Sequence, residues 1–423
     1  MKYAVITFGC RVNQADSLVI EQQLRERGAT DAPAEQADVV IVNTCSVTAS
    51  ADQGARQTIR RIVRSNPGVR VVVTGCYATR RPDELHTLPN VIRVVRNLDK
   101  DHFVEHVPEL AGNGDGPCGR PLAPGAAGRT ALTLRVQTGC EEQCSYCIIP
   151  QTRGASRSRP LADVMRDVER AVSAGYREIV ITGVHLGSFG RDLAARSSLT
   201  ALVRGLAARE EDILFRISSL EPMDCTAEIV ELVTTSPRLA PHFHLPLQHG
   251  SDQVLRAMRR PYTVAEYRNL VERIKRDMPH AAIGSDIIVG FPGETEAQFR
   301  ELCDLLERLP LTHLHVFPYS DRPGTVAAGM QPKVDGTAIR ERGREVRAIG
   351  ARLSHEFRRA QAGSTRRALT VNDGWSAVTD NYFKVRLEER HPRNQWVDVR
   401  IGGPEGPPLR QEPRELTNVE ADL

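Results

Sequence analysis

Gln137-Thr138-Gly139-Cys140-Glu141-Glu142-Gln143-Cys144-Ser145-Tyr146-Cys147 places three cysteines in the spacing Cys-x3-Cys-x2-Cys, directly after the strand-like run Leu132-Thr133-Leu134-Arg135-Val136. An electron-carrying ferredoxin supplies four thiolates to each four-iron cluster, from a different spacing. Three thiolates leave one iron without a protein ligand. Such an iron can chelate a small molecule, so the loop reads as a reaction centre and not as an electron wire. A zinc loop is the competing reading, but it needs a fourth ligand and usually pairs two Cys-x2-Cys units.

Beyond the loop, strand and helix patterns alternate to about residue 330. Predicted strands are Leu132–Val136, Glu178–Thr182, Ile213–Ser218, His242–Leu247, Ile283–Val289 and His313–Phe317, with helices such as Leu161–Ala174 and Val264–Met278 between them. Six such units predict an α/β fold, either an incomplete (β/α)6 barrel with its chemistry at the strand carboxyl ends or an open doubly wound sheet. Cys225 and Cys303 fall on predicted helices and read as packing residues.

The same logic applies upstream. Tyr3–Phe8 ends at Gly9-Cys10, Val39–Val42 ends at Asn43-Thr44-Cys45, and Val69–Val73 ends at Thr74-Gly75-Cys76. These β-branched runs, each followed by helix-like sequence, predict a parallel α/β sheet. Carboxyl ends of parallel strands share one edge, so Cys10, Cys45 and Cys76 are expected to meet there. Three cysteines at the same place in three successive units read as ligands of a second cluster, again with one iron free.

Composition agrees with an intracellular enzyme. The chain has 423 residues, 40% hydrophobic and 26% charged, with a net charge of +3 that implies no partner by itself. Nine clustered cysteines in a chain of this length point to metal binding in a reducing cytosol, not to a secreted disulfide framework. The sequence opens directly into a strand pattern, which predicts neither a signal peptide nor a membrane span.

Two sets of residues carry a family resemblance. The cysteine loop, with an aromatic before its last Cys, resembles the radical S-adenosylmethionine (SAM) superfamily. Thr7-Phe8-Gly9-Cys10-Arg11-Val12-Asn13-Gln14 and Asn43-Thr44-Cys45 resemble the N-terminal domain of methylthiotransferases. The Gly-Cys-Arg-Val-Asn form is most similar to the branch acting on threonylcarbamoyladenosine in tRNA. The resemblance covers essentially the whole chain. It implies two [4Fe-4S] clusters, on Cys140, Cys144 and Cys147 and on Cys10, Cys45 and Cys76. It also implies two uses of SAM: a polar methylation of sulfur at the N-terminal cluster, and a 5′-deoxyadenosyl radical that removes hydrogen from adenine C2.

On this resemblance the strand ends hold SAM. Gly183, in Thr182-Gly183-Val184-His185-Leu186-Gly187, stands where the amino group binds, although the superfamily's usual Gly-Glu pair is absent. Ser219 and Glu221 follow the third strand and Gln248 the fourth. Asp286 and Ile288, before Val289-Gly290-Phe291-Pro292-Gly293-Glu294, are expected at the ribose and adenine. His249 reads as a proton donor or, more simply, a surface-loop histidine.

The expected RNA contacts lie elsewhere. Gln53 to Pro82 contains seven arginines and no acid, and Arg56, Arg60 and Arg64 share one helix face. That stripe suits a phosphate backbone or is a solvated face. Arg11 is the expected partner for the carboxylate of a threonylcarbamoyl group, with Asn13 fixing its loop. Residues 111–130 read as a linker holding Cys118, to which no role is assigned, and residues 334–362 as an arginine-rich helix. From about Gly363, Arg367–Val371, Ser376–Thr379, Phe383–Leu387 and Trp396–Ile401 resemble the small RNA-binding TRAM barrel. Tyr382, Phe383, Trp375 and Trp396 are candidates for base stacking or barrel core. Residues after Pro404 read as a loose tail. The expected domains are thus 1–110, a linker at 111–130, 131–362 and 363–423.

These features predict a cytoplasmic tRNA methylthiotransferase acting on threonylcarbamoyladenosine in the anticodon loop. It would need a flavodoxin- or ferredoxin-like electron donor and a sulfur source. Competing readings are an enzyme for isopentenyladenosine or for a ribosomal protein, or a redox-sensing RNA-binding protein. A cobalamin enzyme is disfavoured, since the first domain lacks an Asp-x-His-x-x-Gly site.

Overall fold

The computed structural model describes residues 1–110, 123–125 and 128–402. Cys118 and the tail after Pro404 therefore lie outside the described residues. The N-terminal sheet is built from β1 (Lys2–Thr7), β2 (Thr30–Asp31), β3 (Val39–Thr44), β4 (Arg70–Gly75) and β5 (Val91–Val95) in the order β2-β1-β3-β4-β5, all parallel. Helices α1 (Arg11–Glu26), α2 (Ala49–Ser65), α3 (Cys76–Arg80) and α4 (Pro82–His86) connect them. Every residue of β3 is buried, and Val39–Val42 are apolar on both faces, as a central parallel strand requires. The short strand β2 and the strand β5 were not expected, because neither ends in a cysteine and β2 has only two residues.

The central part contains six parallel strands, β6 (Leu132–Arg135), β9 (Glu178–Thr182), β10 (Leu214–Ile217), β11 (His242–His244), β12 (Ala282–Val289) and β13 (His313–Pro318). A two-residue antiparallel pair, β7 (Gln137–Thr138) and β8 (Arg157–Ser158), flanks helix α5 (Ile149–Arg153) after the cysteine loop. Helices α6 (Leu161–Ser173), α7 (Leu199–Ala207), α8 (Ala227–Thr235), α9 (Asp252–Ala257), α10 (Val264–Asp277) and α11 (Glu296–Arg308) cover one face. The strands form two three-stranded ladders, β10-β9-β6 and β11-β12-β13, joined through Phe215 and Leu239.

Alternation along the strands sorts the side chains. Phe215, Phe243, Ile283 and Ile287 join the helix-side core. Arg216, His242, His244, Asp286, His313 and His315 project to the opposite, inner face, whose character is polar. Strand β11 is shorter than the sequence predicts. After His244 the chain leaves the ladder and turns at Gln248, whose φ is 68°. Cys303 lies on α11, but Cys225 does not lie in a helix; it follows a 3-10 turn and is buried in the core.

Helix α12 (Gly336–Gln361) leads to a four-stranded antiparallel sheet of β14 (Thr365–Val371), β15 (Ser376–Thr379), β16 (Lys384–Arg386) and β17 (Trp396–Arg400), ordered β16-β15-β14-β17. The sheet docks on the central part through Asn381, which donates to the His280 carbonyl at 2.9 Å.

Two buried carboxylates join the N-terminal sheet to the central strands. Asp16 on α1 accepts from Lys100 at 3.0 Å, Arg135 at 2.5 Å and Arg153 at 3.0 Å. Asp52 on α2 accepts from Arg80 at 2.5 Å and from Arg322, beyond β13, at 2.8 Å. Burial alone would raise the Asp16 carboxyl pKa, but Lys100, Arg135 and Arg153 outweigh it and hold the group below the usual carboxylate range. Removing one member of such a network strands the others without water or partner. Asp16→Ala is therefore expected to destabilise the chain by about 3–5 kcal/mol, read as a lowered denaturant midpoint. A change within 0.5 kcal/mol, roughly that of an ordinary surface substitution, would show that the network holds nothing together.

Candidate cluster sites and the seam between them

The first triad lies at the carboxyl edge of the N-terminal sheet. Cys10 is the cap residue of α1, Cys45 follows β3, and Cys76 is the first residue of α3. All eight described cysteines are free of disulfides. Helix amino termini present unpaired N–H groups and a partial positive charge, which favours anionic occupants at this edge. The backbone is shaped to suit. Gly9 has φ 90°, and a Cβ there would lie 2.6 Å from Cys45 Cβ and 2.8 Å from its Sγ. Gly75 has φ 103° and lies against the Thr44 backbone. Asn13 is buried and donates to the carbonyls of Phe8 at 2.8 Å and Thr44 at 2.9 Å, tying the Cys10 loop to the end of β3.

As bare thiols these groups do not suit one another. Burial, followed by the proximity of Cys76 and Cys10, pushes the Cys45 thiol up to about 12. Ionising all three needs nearby positive charge. The protein supplies some: among the described residues, Lys100, Arg135 and Arg153 face only Asp16 and Asp101 as carboxylate partners. Lys100 and Arg153 also interact electrostatically with Cys76, and Arg153 with Cys10. A net positive pocket beside three thiols fits a thiolate-ligated metal cluster.

The second triad sits in a loop braced from below. Gly139 has φ 74°, and any Cβ would strike the Ala155 carbonyl. Gln137, buried, donates to the carbonyls of Thr138 at 2.9 Å and Gly139 at 2.7 Å, and accepts from the His185 amide at 2.9 Å. Gly183 leaves room for that Gln137 side chain, since a Cβ would lie 3.0 Å from its Oε1. Ser145 is pinned by Met258 at 3.0 Å and by Ala327 at 2.8 Å.

Charge is matched here too. Arg260 donates to Cys144 Sγ at 3.2 Å and also pairs with Glu221. His185 pairs with Asp224 at 2.8 Å; burial would lower its pKa, but hydrogen bonds with Asp224 and Cys140 raise it to about 10. Burial, and then the neighbouring Cys144 and Cys140, push the Cys147 thiol up to about 12. Three thiols with positive groups beside them again fit a thiolate-ligated metal cluster.

Asn97 links the two triads. Its amide donates to Cys76 Sγ at 3.5 Å and to the Thr152 carbonyl at 2.8 Å, on the helix that follows the second triad. Arg153, the next residue, donates to Asn13 at 2.5 Å.

The remaining expected residues are placed unevenly. Ile288 joins Phe291, Met258 and Ala327 in a small apolar cluster packed with Tyr146, between the second and third cysteines of the loop. Asp286 accepts from His244 at 2.9 Å and pairs with His315 at 3.5 Å on the inner face. Gln248 is bonded through its backbone to Asp286 and Ile288. Ser219 is exposed. His249 is not a surface histidine: it is fully buried, and burial followed by Arg342 pushes it down to about 3, so it stays neutral and accepts from the Ser251 amide at 3.1 Å.

The arginine stripe needs correction as well. It is free of acids in sequence but not in space. Arg56 donates to Tyr77 at 2.5 Å and stands 4.0 Å from Glu84, while Arg80 is spent on Asp52. Arg60 and Arg64 are exposed and make no ion pair among the described residues. Tyr382, a candidate for base stacking or barrel core, packs inward against Arg11 and Arg216, whereas Trp375 is exposed.

Sequence reasoning missed Asp16, Asn97, Lys100, Arg153, His185 and Arg260. Most had no spacing to announce them, because their partners are far away in the chain. His185 was the exception, being inside a glycine-rich strand end already singled out. Gly9→Ala is expected to displace Cys45 and to remove about half of the iron from protein reconstituted with iron and sulfide, with the second triad still filled. Full iron content in that variant would show that the first triad holds no cluster.

Residues 2–96 match the family described as uncharacterized protein family UPF0004, and residues 134–306 match the radical SAM superfamily. The chain is 36% identical over 400 residues to the threonylcarbamoyladenosine tRNA methylthiotransferase MtaB of Bacillus subtilis (strain 168), covering 90% of this chain and 88% of that protein. It is 34% identical to the protein of the same name from Thermotoga maritima, over 94% of this chain and 91% of that one. A tRNA-2-methylthio-N(6)-dimethylallyladenosine synthase from Parafrankia sp. is 34% identical over 85% of this chain and 76% of that one. Among solved structures, the radical SAM methyltransferase TsrM from Kitasatospora setae with cobalamin and a [4Fe-4S] cluster bound shares the fold, with a TM-score of 0.55, 16% identity and 77% of each chain covered. Relatives this similar over most of their length settle the family: the chain belongs to the radical SAM tRNA methylthiotransferases, alongside the threonylcarbamoyladenosine enzymes.

Proposed function

We propose that this protein inserts a methylthio group at C2 of threonylcarbamoyladenosine next to the tRNA anticodon. The observation that carries the reading is the pair of cysteine triads held across one ionic seam, with Asn97 touching both sides of it. Cys140, Cys144 and Cys147 would hold one [4Fe-4S] cluster, and Cys10, Cys45 and Cys76 a second. When bound, these clusters and SAM supply the radical and the sulfur that are transferred.

The chain's own residues do the positioning. His185 and Arg260 hold positive charge beside Cys140 and Cys144. Tyr146, half-buried and backed by the buried Ile288 and Phe291, is suited to hold an adenine next to the loop. Asp286, already oriented by two histidines, is suited to a ribose hydroxyl, with Gly183, Gln248 and Glu221 at neighbouring strand ends. The six central strands are read as an incomplete barrel whose inner face receives the base. Unstacking a base costs a few kcal/mol in a duplex and less in a loop, which favours an anticodon-loop adenosine. The C-terminal sheet is read as a TRAM-like RNA-binding module.

A cytosolic setting follows from the many free thiols. None of the described helices is long and apolar enough to cross a membrane. The reading also requires an electron donor, of flavodoxin or ferredoxin type, and a sulfur source.

One observation favours weighing a second substrate, isopentenyladenosine: a dimethylallyladenosine enzyme is as similar in identity as one of the threonylcarbamoyl relatives. The polar inner face argues against it, since an apolar substituent there would leave buried donors unpaired at about 1–3 kcal/mol each. Cells lacking the protein are expected to retain unmethylthiolated threonylcarbamoyladenosine, with any methylthiolated isopentenyladenosine unaffected, by mass analysis of digested tRNA. The reverse pattern would assign the other substrate.

Arg60 and Arg64 make a separate prediction. Neutralising both is expected to flatten the log–log dependence of tRNA affinity on salt by up to roughly 0.7–0.9 per lost phosphate contact. An unchanged slope would leave them as ordinary solvated residues.

A further inference from the structure

We infer that Arg11, Arg216, His242 and Tyr382 form a receptor for the carboxylate on the N6 substituent of the target base. The inference rests on the substrate reading above and adds the group that would select it.

The four residues meet where the N-terminal sheet, the central strands and the C-terminal sheet touch. Arg216, on β10, is fully buried. Its Nε donates to Glu178 at 2.8 Å and its Nη1 to the Asp380 carbonyl at 3.1 Å, while its Nη2 has no partner among the described residues. The guanidinium lies 4.7 Å from the Tyr382 ring centroid. Arg11 approaches the same ring from the N-terminal side and donates to the Tyr382 hydroxyl at 3.0 Å. Arg11 makes no ion pair among the described residues. Tyr382 is held at φ 67°, a backbone region that a bulky residue adopts only when its surroundings require it.

His242 completes the group. It is 3% exposed, its ring centroid is 4.8 Å from that of Tyr382, and neither of its ring nitrogens has a partner among the described residues. His313, stacked on His242 at 6.1 Å, also has an unpartnered Nε2. A buried site thus carries two guanidiniums, one carboxylate in Glu178 and several unused donor positions. Its charge is positive and its hydrogen bonding incomplete, which is costly unless a ligand completes it.

The complement is a small planar anion. A carboxylate fits the forked donors of arginine in two-point fashion. RNA phosphate is the other anion on the same substrate, and the pattern of loss across the three RNAs below separates it from the carboxylate. Arg11 is adjacent to Cys10 in the chain. In adenine, C2 and N6 lie on the same edge, on either side of N1. A substituent anchored beside Arg11 would therefore turn the C2 edge toward the first cysteine triad.

The test uses full-length, cluster-loaded protein and three anticodon stem-loop RNAs. One carries threonylcarbamoyladenosine, one the same group with its carboxylate converted to a carboxamide, and one unmodified adenosine. Affinity for the carboxamide is expected to fall about tenfold or more relative to the acid, the scale of a lost charge-assisted hydrogen bond. In Arg11→Gln and Arg216→Gln that preference is expected to shrink. The Arg11 variant and the intact protein keep the test valid if the buried Arg216 variant fails to fold. Equal binding of acid and carboxamide by the intact protein, with the acid still converted, would overturn the receptor alone. An equal loss for all three RNAs in Arg11→Gln would assign that residue to phosphate and overturn it too. Failure to convert the acid RNA at all would overturn the substrate reading beneath it.

Discussion

Asp16 is the group on which the arrangement depends. It is a carboxylate with no exposed surface, held by cations from both sides of the junction between the N-terminal sheet and the central strands. Burying such a charge costs several kcal/mol unless its partners are in place. Separating the two parts would leave Asp16 and Lys100 on one side and Arg135 and Arg153 on the other. The second bridge, Asp52 to Arg322, carries the same penalty at the far end of the seam. Docking is thereby fixed by charge where apolar packing alone would allow sliding.

The same charges serve the sites. Asp16 lies on the helix that begins at Cys10, and Asp52 on the helix that follows Cys45, so the groups that fix the seam also fix two of the three N-terminal cysteines. The cations outnumber their carboxylate partners, and the excess faces thiols. Across the seam, Arg260 and His185 do for Cys144 and Cys140 what Lys100 and Arg153 do for Cys76 and Cys10. A thiolate-ligated cluster is anionic overall, and each triad is built next to positive charge that would balance it.

How far the chain was legible depended on whether a feature was local. The three cysteines of the second loop, the β-branched run before each N-terminal cysteine, and the meeting of those cysteines at one sheet edge were all readable, since each follows from spacing or strand polarity. The central alternation gave six strands in the right places. The strand Val91–Val95 escaped because no cysteine marked its end. Charge was read least well. The run from Gln53 to Pro82 is free of acids in sequence, yet Asp52 and Glu84, just outside it, pair with Arg80 and Arg56 in space. Asp16, Lys100 and Arg153 are ordinary charged residues in sequence, and only tertiary contact makes them a buried network. His249 shows the same limit: it is buried 3.7 Å from Glu294, which pairs with Arg342 of helix α12, both far along the chain.

The central claim is that the ionic seam makes the two cysteine sites one rigid unit. Pulsed dipolar electron paramagnetic resonance on protein carrying both clusters in paramagnetic form measures this directly. The account predicts a single narrow distribution of distances between the two centres, with or without RNA. A broad distribution, of the kind given by domains on a flexible tether, would contradict it.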